Sequence, residues 1–285
     1  MMARVGFISF IIGLNIFCLA DGLRAQIIDD FSDGNFDKLP MWTSSKTSGE
    51  DDYIVLEERL RSNGPAATSA IWISTAGEPT FINGILTWQF DLEYDQAPSG
   101  ANNLRIYFGA NMTDLSVLPS GYYVQLGQSG SDDGIDFYKT TSSDPLISDS
   151  EPSVSASIDL SIRLTRTETG KWTLFKSEPG SVDFTTVGTV VDTEVELGDH
   201  FGFLVNHTSS RNESFFFDNV ILPFPDNIPP SLLKARIESD QNVMLTFSEQ
   251  LDTNSSENPL NYFLSSIGNP VSSQLDSNTV VLGFT

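Results

Sequence analysis

The 285 residues carry 15 Lys+Arg against 38 Asp+Glu, a formal net charge of −23. Such a surface repels nucleic acid and anionic lipid, so no nucleic-acid partner is expected, while its many carboxylates are open to calcium. Cys18 is the only cysteine and stands in the leader described next, so disulfides, thiolate metal sites and a cysteine nucleophile are excluded from the rest.

At the N-terminus, Arg4 precedes an apolar run from Gly6 to Ala20, broken only by Ser9 and Asn15, and the more polar Asp21-Gly22-Leu23-Arg24-Ala25 follows. A basic start, a short apolar stretch and a small residue before the cut predict a signal peptide over residues 1–25. The chain is therefore expected to be secreted or displayed at the cell surface. The run falls short of the ~20 residues that span a bilayer, and no other segment is apolar enough, so direct membrane insertion is not expected.

From there the apolar period is two. In Leu86-Thr87-Trp88-Gln89-Phe90-Asp91-Leu92-Glu93-Tyr94 every second residue is apolar, and Ile158–Thr165 repeats the pattern. A strand with one buried face reads this way, because successive side chains point to opposite faces. Shorter strands are predicted at Tyr53–Glu57, Ala70–Ser74, Leu104–Gly109, Tyr122–Gln128, Ile135–Lys139, Trp172–Ser177, His200–His207 and Phe215–Leu222. Thr167–Lys171 reads as a hairpin turn in which Gly170 supplies the positive φ. Many short strands with Gly-rich turns predict an all-β antiparallel sandwich or barrel. Pro223-Phe224-Pro225-Asp226-Asn227-Ile228-Pro229-Pro230 is expected to interrupt the ladder as a stiff linker over 223–230. Beyond it, Leu232–Ser239, Val243–Phe247, Tyr262–Ser265, Val271–Leu275 and Thr279–Phe284 are again strand-like. This second unit, 231–285, has too few residues for a comfortable cysteine-free sandwich and is expected to be a truncated module.

Four segments carry a resemblance. Ile28-Asp29-Asp30-Phe31-Ser32-Asp33-Gly34-Asn35-Phe36 with Trp42 is similar to the first strand of concanavalin A-like (laminin G-like) jelly rolls in large secreted proteins of Bacteroidota. Gly121–Gly127 is similar to a middle strand there, Arg163–Trp172 to a late hairpin, and Phe215–Val220 to the closing strand. Those proteins often carry lamin-tail domains. Leu245–Asp252, Asn258–Tyr262 and Gly268–Val271 resemble strands of bacterial Ig-like modules. The resemblance implies a jelly-roll β-sandwich over 26–222 followed by a partial Ig-like β-sandwich module. It also implies a structural calcium between the first and last strands, with Asp30, Asp33 and Asp218 as ligands and Asp29 beside them.

Concanavalin A-like sandwiches include glycoside hydrolases with a Glu-x-Asp-x-Glu strand, whose alternation puts two carboxyls close enough to cleave a glycoside. Here Asp91, Glu93 and Asp95 share a face, but Gln96, Ala97 and Pro98 follow and the last acid is missing. The three are read as ordinary strand positions, and the chain is not expected to be an enzyme. His200 and His207 are the only imidazoles and point to opposite faces of one strand, so they cannot share a zinc without a bulge, and surface or strand-end histidines are expected.

Alternation leaves Arg105 and Tyr107 outward on one strand, Tyr123 and Gln125 on another and Arg163 on a third. Flat aromatic faces with planar polar groups suit sugars, so these five are the candidate carbohydrate-binding residues. The expected function is a secreted, non-catalytic binding or adhesion module for polysaccharide or a cell-surface glycan. A structural spacer in a larger extracellular protein is the first alternative, and a degenerate glycoside hydrolase-like sandwich the second.

Overall fold

Alternation along each strand decides which side chains meet. The computed structural model describes residues 26–38, 40–128, 133–149, 154–225, 232–239, 241–247, 251, 253–264, 267–276 and 278–285. The expected signal peptide lies outside these residues, as does the Pro-rich segment from 226 to 231.

Among the described residues of the first unit, Gln26–Pro225, the strands are β1 (Gln26–Asp29), β2 (Trp42–Ser44), β3 (Tyr53–Leu56), β4 (Arg59–Ser62), β5 (Ser69–Ala76), β6 (Ile85–Tyr94) and β7 (Asn103–Ala110). They continue with β8 (Tyr122–Leu126), β9 (Asp136–Lys139), β10 (Ile158–Thr167), β11 (Lys171–Ser177), β12 (Thr185–Val191), β13 (His200–His207) and β14 (Phe216–Pro225). They form two antiparallel sheets. One is eight-stranded, in the order β12-β11-β10-β6-β14-β4-β3 with β1 also paired to β14; the other runs β2-β5-β13-β7-β8-β9. The expected all-β, concanavalin A-like sandwich is what the chain forms.

On β6 the burial pattern is strictly alternating: Leu86, Trp88, Phe90, Leu92 and Tyr94 face the second sheet. From that sheet come Ile106, Phe108, Val124, Phe201, Phe203 and Val205, all fully buried. Trp88 stacks on Trp172 at 6.0 Å between centroids and meets Phe108 edge-on at 5.6 Å. Each buried aromatic removes a large apolar area from water, so this layer is the main favourable term holding the two sheets together.

The Pro-rich segment begins later than the sequence suggests. β14 runs through Pro223-Phe224-Pro225, Phe224 is buried against Gly77, and the Pro223 carbonyl accepts from Thr80 N at 2.7 Å. Prolines are tolerated here because the recorded pairing with β6 ends at Ile221, and β1 shifts register between Gln26 and Ile27 opposite this stretch. A Cβ at Gly77 would come within 2.5 Å of the Phe224 ring, so only glycine fits beneath it.

In the second unit, β15 (Leu232–Ser239), β16 (Asn242–Phe247), β17 (Ser272–Asp276) and β18 (Thr279–Gly283) form a four-stranded antiparallel sheet in the order β15-β16-β18-β17. Its own small core gathers Leu245, Phe247, Tyr262, Val280, Leu282 and Phe284. Among the described residues, the strand expected at Tyr262–Ser265 is not formed over 262–264. Asn258 caps a 3₁₀ turn, Pro259–Asn261, by accepting from Leu260 N, and an isolated Leu264–Gly268 bridge follows.

Candidate functional site

The outer face of the six-stranded sheet is built in register. Leu204, Arg105, Gln125 and Asp136 stand opposite one another across β13, β7, β8 and β9, and Gly202, Tyr107, Tyr123 and Tyr138 form the next row. Asn206 pairs with Asn103 one step further along. Their intervening neighbours, among them Leu104, Ile106, Val124 and Phe137, are buried between the sheets, so the rows face outward.

The end of the face near Tyr107 is covered. Residues 111–120 fold back over it: Leu115 packs with Tyr107, Ala110 and Leu204, flanked by Trp72 and Tyr123. The Ser74 hydroxyl donates to Thr113 O at 2.8 Å, Thr113 Oγ1 meets His200 Nε2 at 2.9 Å, and Asp114 caps the 3₁₀ turn Leu115–Val117. Tyr107 is only 1% exposed as a result. It points outward as expected, yet it supports the face from below and cannot stack on a ligand.

The rest is open. Tyr123 and Tyr138 stack nearly parallel, 5.0 Å apart at 9°, and the Arg105 guanidinium carbon sits 5.1 Å from the centroid of the Tyr123 ring. Arg105 Nε donates to Gln125 Oε1 at 3.0 Å, and Asn206 Nδ2 donates to Asn103 Oδ1 at 2.8 Å. Asp136 accepts from Gln128 Nε2, Tyr138 Oη and Ser148 Oγ, which fixes the Tyr138 ring. Burial, with the Asp136 charge beside it, pushes the Tyr138 phenol up to about 12, and burial also raises Tyr123. Both rings stay neutral at physiological pH.

Beside these rings lies a pocket of about 490 Å³ whose lining includes Thr68, Ser69, Asn103, Arg105, Gln125 and Asn206. Gly127 closes one wall at φ 85°, and a Cβ there would come within 3.0 Å of Asn103 and Pro98. Only glycine lets the chain leave β8 so close to the neighbouring loop.

Arg105, Tyr123 and Gln125 are thus brought together, with Tyr107 beneath them. Arg163 is not. It lies on β10 of the other sheet, its guanidinium 3.7 Å from the Phe184 ring centroid and its Nε donating to Gln89. Asn103, Asn206, Asp136 and Tyr138 complete the face and were not singled out from sequence. The outward parity of their own strands is the signal that could have found them.

The acids of the calcium expectation separate. Asp29 turns inward, accepting from Trp42 Nε1 at 2.8 Å and Phe31 N at 3.0 Å, and burial raises its pKa to about 6. Phe31 at φ 50° turns the chain off β1. Asp30 then accepts from Ser32, and Asp33 accepts from Asn35 N in a turn of its own, so Asp33 does not join the set. Asp218 is raised to about 6 by burial, with Asp91 and Asp30 adding repulsion. Among the described residues, no three His, Cys, Asp or Glu side chains are grouped to hold a metal ion.

Asp91 and Glu93 face outward from β6, but each is engaged. Glu93 pairs with Arg59, and Asp91 accepts from Ser161 Oγ and, at 2.8 Å, from Asn219 Nδ2. His200 faces out and His207 into the core, on opposite faces as expected.

No protein-family model matches the chain, and the search of curated proteins returned no match. The lamin-tail and Bacteroidota resemblance therefore gains no support. Solved structures do match. The VIP36 exoplasmic/lumenal domain in its Ca2+/Man-bound form aligns with a TM-score of 0.50 at 10% identity, covering 72% of this chain and 91% of that one. The Emp46p carbohydrate recognition domain, metal-free form, aligns at 0.49 and 14% identity, covering 69% and 94%. The Emp47p carbohydrate recognition domain aligns at 0.47 and 11%, covering 69% and 91%. At such identity the VIP36 match speaks for the fold alone, and that fold is the concanavalin A-like jelly-roll sandwich.

Proposed function

We propose that residues 26–225 form a non-catalytic glycan-binding domain of an exported protein, with the open part of the six-stranded sheet's outer face as its sugar site. One observation carries this reading: a stacked tyrosine pair stands beside a guanidinium and three side-chain amides, all held in place by the sheet. A pyranose offers an apolar C–H face and a rim of hydroxyls. The first packs on an aromatic ring, and the second pairs with planar donors and acceptors. Rigid strands preset this geometry, so little entropy is lost on binding.

The non-catalytic part rests on Asp91 and Glu93, whose oxygens are occupied by Ser161, Asn219 and Arg59. Glycoside cleavage needs two carboxyls free to donate a proton and to attack. The VIP36 domain's Man-bound form is a supporting instance of a sugar bound on this fold. Export rests on the leader sequence, a structural calcium on the Asp30 charge felt at Asp218, and an Ig-like reading of the second unit on its antiparallel sheet and separate core.

The test is a glycan array with the whole protein, followed by titration of any hit against Tyr123→Ala and Arg163→Ala. Tyr123→Ala should weaken binding by roughly tenfold or more, the worth of one aromatic stacking contact. Arg163→Ala, on the other sheet, should leave it unchanged. Equal effects of the two substitutions would remove the site from this face.

A further inference from the structure

Among the described residues, no carboxylate forms an ion pair with Arg105. Arg59, Arg61, Lys139 and Lys176 each meet a carboxylate within ion-pair distance. Arg105 does not: Gln125 accepts from its Nε, the Tyr107 hydroxyl lies close by, and neither group is charged. The acid in its row, Asp136, stands beyond Gln125 and is occupied by Gln128, Tyr138 and Ser148. Among the described residues no Asp or Glu lines the pocket in which Arg105 sits, although the chain contains 38 of them. The lining is otherwise hydroxyl, amide, glycine and Ala101, with His207 at the inner edge. Burial lowers the His207 pKa, and its Nδ1 lies 3.2 Å from Thr208 O.

A half-buried guanidinium held over an aromatic ring has lost part of its hydration and some rotamer freedom, so an arriving anion meets it preorganised. A carboxylate or sulfate oxygen there would gain charge-assisted hydrogen bonds, stronger than those a neutral hydroxyl makes. The surrounding amides would still read hydroxyls on the same ring. The net charge of −23 repels polyanions at long range, so one that binds has to do so at a locally positive spot.

We propose that this pocket selects acidic saccharides, with Arg105 pairing the anionic group of a uronate or sulfated pyranose while Asn103, Gln125 and Asn206 contact its hydroxyls. The proposal rests on the sugar-binding reading above and adds the class of sugar.

The experiment titrates the whole protein with polygalacturonate and with its fully methyl-esterified form, which has the same backbone without the charge. Dextran sulfate against dextran forms the second pair. The expected result is roughly tenfold or more preference for at least one anionic form over its neutral partner, as a charge-assisted contact provides. The pair that shows it tells carboxylate from sulfate. Arg105→Gln should abolish the preference, read as the ratio of the affinities for the anionic and neutral forms, whatever it does to their common level. Arg163→Gln, which removes the same charge from the other sheet, should retain the preference. Equal binding of the anionic and neutral forms in both pairs overturns the acidic-sugar proposal and leaves the glycan reading standing. Loss of the preference in both variants overturns it too, since the effect would then be one of net charge. No binding to any glycan, here or on the array, removes both readings.

Discussion

The indole Nε1 of Trp42 donates a 2.8 Å hydrogen bond to the Asp29 carboxylate, tying the first strand of the eight-stranded sheet to an edge strand of the six-stranded one. Both residues are buried, Asp29 at 9% exposure, and burial lifts its pKa from the ordinary 3.8 to about 6. The folded state therefore binds its proton more tightly than the unfolded state does. Stability from this group is full below about pH 4 and is lost as pH rises toward and past 6. At about 1.4 kcal/mol per pKa unit the loss is on the order of 3 kcal/mol. Asp29→Asn cannot titrate, so its stability relative to the parent should improve by that amount between pH 4 and pH 8, whatever the constant effect of losing one acceptor. Urea midpoints for both proteins across this range check it; parallel pH profiles would contradict the raised pKa.

Trp88 sits at the centre of the inter-sheet layer, fully buried between Trp172 and Phe108. Trp88→Ala should cost about 3–5 kcal/mol, as truncating a buried aromatic leaves a cavity that neighbours fill only in part. Denaturant unfolding followed by circular dichroism reads this loss. An unchanged midpoint would mean that the alternation on β6 points the other way.

How much of this was legible follows from particular residues. Strands with clean alternation, such as Ile85–Tyr94 and Tyr122–Leu126, could be read directly because one face of each is packed. The β3–β4 hairpin could not. Its turn places Glu57 and Glu58 at φ 52° and 60°, a conformation usually marked by Asn or Gly. The edge strand β12, Thr-Thr-Val-Gly-Thr-Val-Val, exposes both faces in part and shows no period. At the site, parity placed Arg105, Tyr123 and Gln125 together, because β7 and β8 are adjacent and in register. Parity alone could not show that residues 111–120 bury Tyr107, nor that Arg163 belongs to the other sheet. Those are facts of loop path and strand order, which a local pattern does not contain.

The end of the sandwich offers a sharper test of the same point. If Pro223–Pro225 were linker, Phe224→Ala would be nearly silent. Its ring is 2% exposed and packs on Gly77, so the substitution should cost about 3 kcal/mol or more, in the range for a buried phenylalanine. Gly77→Ala should also destabilise, since its Cβ would collide with that ring. A thermal melt of each variant decides where the sandwich stops.

Asp218 faces Asp91 across the β14–β6 pairing and feels the Asp30 charge as well. Burial is the larger cause of its rise to about 6, and Arg59 opposes it only weakly. Above pH 6 the carboxylates of Asp218 and Asp30 repel each other near the seam where β1 pairs with β14. A calcium ion between them would reverse the sign of that interaction and tie the two ends of the sandwich together. Binding only the folded state, it would raise stability by mass action, about 2.7 kcal/mol at a hundred times its dissociation constant. At pH 8, millimolar calcium should therefore raise the melting temperature of the parent protein above its value in chelator. Asp218→Asn should lose most of that gain and should melt in chelator at or above the parent's temperature, because the buried charge and then the repulsion are gone. A parent protein with identical curves in calcium and chelator at pH 8 would strike calcium from this seam. Asp30 and Asp218 would then be a repelling pair that the fold tolerates for the sake of β1–β14 pairing.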